Sequence, residues 1–251
     1  MKLAIIGCGA IGSIIAKEFK EDVEFLYDID KNKSIKLAKD LGSKVKVANK
    51  FDEILESDVS LVVECASQKA VLEYGFKVIE SAKDFMILSV GALVDLNFFE
   101  KLKQKAEYHK RRIYIPSGAV AGIDAIKAVK DKVSEIILIT RKNPASFGLD
   151  LKEEKTIFDG YAKEAVKLFP KNINVSATIS IAGVGFDKTK VKIIADPEVK
   201  QNIHQIFVKG EFGEFSLEVK NVKISEQTSY LSALSAISLI KELKSPVKIG
   251  S

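Results

Sequence analysis

The chain has 251 residues, 47% of them hydrophobic, with 39 Lys+Arg against 34 Asp+Glu for a formal net charge of +5. That length buries a sizeable core as one large domain or two small ones, and a charged fraction of 29% excludes disorder as the main state. No run of about 18 apolar residues is present, so no membrane partner is expected, and the three arginines, Arg111, Arg112 and Arg141, make no nucleic-acid footprint. The apolar start MKLAII runs straight into glycines rather than a small-residue cleavage site, which reads as a cytoplasmic protein. Two cysteines, Cys8 and Cys65, form neither a disulfide framework nor a metal-ligand spacing, so free thiols and no metal are expected.

In chain order, 3–6 is a strand, followed by glycines and the helical pattern IGSIIAKEF. A second strand is expected over 23–27, then a helix capped by Asp30 or Ser34 and closed by Gly42. Short strands follow at 44–48 and 59–65, a helix at 68–82, a strand at 85–90, a helix opened by Asp95 or Asn97 and reaching about Lys110, and a strand at 112–115. Strands alternating with helices mean βαβ units and a parallel sheet.

The rhythm changes near Ser117. A helix is expected at 123–130, a strand at 136–140 and a loop over 143–155; a helix at 161–168 is ended by Pro170, and 175–182 is a tightly packed helix of small residues. Three strands, 190–195, 203–209 and 215–222, are separated by turn-like DPEVKQN and GEFGE, which marks a mixed or antiparallel sheet. The expected fold is therefore α/β: a Rossmann-type parallel-sheet domain over 1–117 and a smaller α/β domain over 118–228, with a last buried helix, 229–243, returning to the first.

GCGAIG places Gly7, Gly9 and Gly12 in the G-x-G-x-x-G spacing, after a strand and at the start of a helix. Gly7 permits the turn, Gly9 lets backbone approach a pyrophosphate, Gly12 lets the helix pack on the sheet, and the backbone of Ala10 and Ile11 opens the helix N-terminus toward the phosphates. Asp28 follows Gly7 by 21 residues, where a carboxylate accepts from ribose hydroxyls and repels a 2′-phosphate. NAD is thus favoured over NADP, although Lys31 and Lys33 leave NADP open. The carboxyl ends of the fourth and fifth strands, Cys65-Ala66-Ser67 and Ser89-Val90-Gly91, leave room for the nicotinamide half; ordinary tight turns account for them equally well.

Of the two histidines, His109 sits in the charged end of a helix and receives no role. His204 begins a strand on whose alternation Ile206 and Val208 share its face; at a sheet edge it serves either as a general acid or base or merely as a surface residue. Asn174 precedes a helix and either caps it or bonds the nicotinamide carboxamide. Ala119 and Ala121, in the glycine-rich PSGAVAG, allow a close backbone approach or form a hinge. Arg141 and Lys142 end a strand, where Arg offers a carboxylate a bidentate fork; a solvated pair is the plainer alternative.

Taken in order, GCGAIG, VVECASQKAV, SVGALVD, IPSGAVAGIDAI, ITRKNPA, FPKNINVSATISIAG and DPEVKQNIHQIFVKGEFG resemble the L-aspartate dehydrogenase family over nearly the whole chain. The glycine motif is common to many dehydrogenases; the later segments are far more specific. By this resemblance His204 matches the family's active-site histidine, while Asn174 and either Ala119 or Ala121 match its cofactor positions. The candidate substrate set is Arg141, Asn174 and His204. The resemblance implies a homodimer or higher homo-oligomer that oxidises L-aspartate, a dicarboxylate amino acid, with NAD or NADP. The products are iminoaspartate, then oxaloacetate and ammonia, in a step linked to making the pyridine nucleotide. One departure is TRKNP where TRKPP is expected, which loosens a turn without removing Arg141. The rivals are a related reductase with a dihydrodipicolinate- or homoserine-type substrate, and a non-catalytic NAD-binding protein.

Overall fold

Runs that are apolar at every position must be covered on both faces, which is the condition of a parallel sheet sandwiched by helices. Leu3–Ile6 (β1) and Leu61–Glu64 (β4) are buried at all four positions. The computed structural model describes residues 1–169, 173–225 and 228–249. These residues divide into two units, 1–116 with 236–244, and 117–235 with 245–249.

The first unit runs β1, α1 (Ala10–Glu18), β2 (Val23–Tyr27), α2 (Lys31–Leu41), β3 (Lys46–Val47), α3 (Asp52–Leu55), β4, α4 (Gln68–Glu80), β5 (Asp84–Ile87), α5 (Leu96–Tyr108) and β6 (Ile113–Tyr114). All six strands are parallel, in the order β3-β2-β1-β4-β5-β6. This order reverses between β1 and β4, and in open α/β sheets ligands bind outside the carboxyl ends of strands at that switch point. Asp30 caps α2, Ser67 caps α4 and Asp95 caps α5, each accepting a backbone N–H of the first turn. β5 is shorter than its apolar run suggests: a 3-10 turn at Val90–Val94 takes over, with Val90 and Gly91 buried. The core of β1, β2, β4 and α1 also contains Ala236, Ile237 and Ile240 from the end of the chain.

The second unit contains α6 (Ile123–Val129), β7 (Val133–Lys142), β8 (Lys155–Tyr161), α7 (Ala162–Leu168), α8 (Asn174–Ala182), β9 (Thr189–Ala195), β10 (Asn202–Gly210), β11 (Gly213–Asn221), β12 (Lys223–Ser225), β13 (Thr228–Ser229) and the start of α9 (Tyr230–Lys244). Pro170, expected to end the helix before it, lies outside the described residues. Five strands form a mixed sheet in the order β11-β10-β7-β9-β8, with β7 and β9 parallel and the other pairs antiparallel. β7 alternates buried and half-buried positions along its length, so one face is covered, with α7 and α8 packed on β9. β8 fills the stretch between the expected loop, 143–155, and the expected helix, 161–168; it is an edge strand, mostly exposed, with no apolar alternation to announce it. Among the described residues no helix is long and apolar enough to cross a membrane.

Candidate active site

In the first unit the glycine turn is built by contact distances. A methyl group on Gly12 would lie 1.9 Å from the Gly7 carbonyl oxygen, and one on Gly7 (φ +91°) would lie 2.7 Å from the Cys65 carbonyl. Gly9 differs: a methyl there meets nothing within 4 Å. Gly9 is therefore kept open toward space, not forced by its neighbours. It is also the N-cap of α1, and no side chain caps that terminus; uncapped first-turn N–H groups at a helix N-terminus are suited to an anion.

The Asp28 carboxylate lies over this turn, accepting from the Cys8 N–H at 2.8 Å and the Asp30 N–H at 2.9 Å. Gly7, Gly9, Asp28, Lys33, Cys65, Ala66 and Ser67 line one cavity of about 300 Å³, together with Tyr27, Lys69, Glu73 and Tyr74. The aromatic floor, in which Tyr27 and Tyr74 meet edge-on beside Phe51, was not legible as a motif. Tyr27 ends β2 and Tyr74 lies two turns into α4, 47 residues on, so the two meet only once the sheet is built. Cys8 and Cys65 are free thiols at the ends of neighbouring strands, and burial pushes both up, Cys8 to about 12. They are inert packing groups at neutral pH.

Glu64 ties the two strand ends together. Fully buried, it accepts from the backbone of Ala66 (2.7 Å) and Ser67 (2.8 Å) through one oxygen, and from the Ser89 hydroxyl (2.8 Å) and backbone (2.9 Å). Burial raises its pKa and these hydrogen bonds oppose the rise. Ser89, Val90 and Gly91 are accordingly held beneath the turn and are not among the residues lining the cavity.

In the second unit His204 is 1% exposed and sits on β10, the second strand of five, so it is neither on a sheet edge nor at the surface. Its Nδ1 lies 3.0 Å from the Thr140 hydroxyl across the β10–β7 ladder. Burial, with the charge of Lys142 added, pushes the imidazole down to about 3. Arg141 and Lys142, adjacent in sequence, fall on opposite faces of β7. Lys142 is buried on the His204 side, while Arg141 is on the other side, ion-paired to Asp196 at 2.7 Å and to Glu154. Asn174 is the exposed first residue of α8 rather than its cap, a place taken by Ile173. Ala119 is buried and its carbonyl accepts from Asn221 Nδ2 at 2.8 Å, whereas Ala121 is exposed.

Two family models match: homoserine dehydrogenase, NAD binding domain, over residues 7–116, and aspartate dehydrogenase, C-terminal, over 124–243. L-aspartate dehydrogenases of Methanosarcina acetivorans and Methanosarcina mazei are each 42% identical, the match covering all of both chains. The chain belongs to the L-aspartate dehydrogenase family. The crystal structure of aspartate dehydrogenase from Thermotoga maritima superposes with a TM-score of 0.85 at 35% identity, covering 100% of this chain and 99% of that one. The family match therefore takes in both sheets, the glycine turn and the strand bearing His204.

Proposed function

We propose that this member of the L-aspartate dehydrogenase family oxidises L-aspartate with NAD, NADP being the secondary cofactor. The overall change is L-aspartate, water and oxidised dinucleotide to oxaloacetate, ammonium, reduced dinucleotide and a proton. The single observation that carries this is full-length similarity to named L-aspartate dehydrogenases at 42% identity, with a buried, hydroxyl-anchored histidine in the second sheet.

The first unit is the dinucleotide domain. The open space at Gly9 and the uncapped start of α1 suit a pyrophosphate, and the Asp28 carboxylate suits a ribose diol. Lys33, lining the same cavity, is the cation on which NADP use would depend. When bound, the dinucleotide accepts the substrate's Cα hydride. His204 is the acid–base group: its Nδ1 lies 3.0 Å from the Thr140 hydroxyl, and in the tautomer that donates this proton to Thr140, Nε2 is left as the acceptor. At neutral pH an imidazole held down to about 3 is uncharged and ready to take a proton from the amine, or from the water that hydrolyses the imine. An incoming dicarboxylate raises that low value, because an anion favours imidazolium.

The second unit also carries self-association, through the open face of its sheet. Ile137, Ile139 and Ile203 are half-buried there, and Phe207 is 42% exposed. A cytoplasmic location and a step feeding pyridine-nucleotide synthesis complete the reading. The test is L-aspartate-dependent appearance of reduced dinucleotide by absorbance, run in reverse with oxaloacetate and ammonia. Turnover of L-homoserine in place of L-aspartate, or of neither, overturns it.

A further inference from the structure

The covered face of the second sheet changes character along its length. At one end it is apolar, with Ile136 and Leu138 on β7, Ile206 and Val208 on β10, and Val191 on β9, all buried. At the other end the same face carries Thr140, Lys142, Asn202 and His204, each no more than 5% exposed. Burying a lysine, an amide and an imidazole together costs free energy that apolar residues at those positions would not. Such a cluster is retained where polar groups are needed for a ligand.

The register fixes how the four lie. His204 pairs with Thr140 across the ladder, and Ile203 with Arg141. Asn202 and Lys142 are the next residues on the two antiparallel strands, one step beyond the last paired positions and about 7 Å along from the histidine pair. Asn202 reaches Ser229 through Nδ2 at 3.4 Å, but its buried Oδ1 finds no donor among the described residues. A buried acceptor without a donor is uncommon and calls for a partner from outside the fold. Lys142 is a cation close enough to lower the His204 pKa, and is itself pushed to about 8 by burial and by Lys223. An anion entering beside it would hold it fully charged. The alternative cation, Arg141, is on the far face and engaged by two carboxylates.

Building on the reaction proposed above, we infer that Lys142 and Asn202 form its substrate-recognition corner: the Lys142 ammonium takes one carboxylate of the amino acid, and Asn202 Oδ1 accepts from its amino group. This sets the amino group beside the imidazole that receives its proton, and it accounts for selection of an acidic amino acid by a site whose surface arginine is spent elsewhere.

The test is steady-state kinetics of the full-length protein with L-aspartate, together with dinucleotide titration by fluorescence. Lys142→Met, which keeps length and removes charge, and Asn202→Leu should each raise KM for L-aspartate about 10- to 100-fold while dinucleotide Kd stays at the parent value. Lys142→Arg should recover part of the loss. Where Lys142→Met fails to fold by circular dichroism, Lys142→Gln and Asn202→Leu answer the same question. Parent KM in folded variants overturns the corner alone. An equal rise in dinucleotide Kd also overturns it, since that marks a structural role. An unaltered protein that fails to oxidise L-aspartate overturns the reaction and the corner together.

Discussion

The two sheets build their candidate sites by opposite means. In the parallel sheet the work falls to backbone: a turn in which Gly7 and Gly12 are forced by contact and Gly9 is left bare, and strand ends pulled together by the buried Glu64. In the mixed sheet it falls to side chains standing on a regular ladder, where backbone geometry is unremarked and residue identity decides everything. A backbone-built site tolerates no added atom. A side-chain-built site tolerates atoms but not a change of chemistry.

That contrast can be broken by substitution. The largest effect is expected at His204: His204→Ala should lower kcat by about 10²-fold or more with dinucleotide Kd unchanged, measured by steady-state kinetics and fluorescence titration. Normal turnover would remove the acid–base role. Within the glycine turn, two one-carbon changes should separate. Gly12→Ala, whose methyl would sit 1.9 Å from a backbone oxygen, should lower Tm by roughly 2–12 °C in a thermal melt. Gly9→Ala should leave Tm alone and weaken dinucleotide binding about tenfold, because its methyl enters the space a pyrophosphate would use. The reverse outcome would mean that the open space is not a ligand's. Next, Asp28→Ala should raise KM for NAD about tenfold and that for NADP less, narrowing the preference; an unchanged ratio of kcat/KM would show that Asp28 does not read the ribose.

A last effect concerns pH. His204 has a folded pKa far below its ordinary value, about 3 against 6.5. Its neutral burial therefore contributes stability above about pH 6.5 that is lost as pH falls toward 3. Denaturant melts of His204→Gln should lose less stability over that interval than the parent; parallel curves would show that the imidazole is not held neutral.

How far the sequence is legible follows the same division. A backbone-built site has a spacing, so GCGAIG and Asp28 can be read directly and the structure brings them to one cavity. The central strands of the parallel sheet, β1 and β4, are equally plain, because strands covered on both faces need near-continuous apolar runs. Arg141-Lys142 reads as one charged pair, and only strand alternation running to the last residue of β7 parts them. Asn202 has no motif at all; its meaning arises from pairing with β7 and from burial. β8 escapes for a third reason: KTIFDGY, on an exposed edge, needs no hydrophobic pattern to hold its place.

The final turns of α9 carry one more consequence. Ala236, Ile237 and Ile240 fill the interior against β1, β2 and α1, and Lys241 and Lys244 pair with Glu18 and Asp22. The first unit is therefore unfinished until residues 236–244 have been made. A ribosome making this chain holds an apolar cleft open until α9 emerges, and only then is the nucleotide-gripping half sealed.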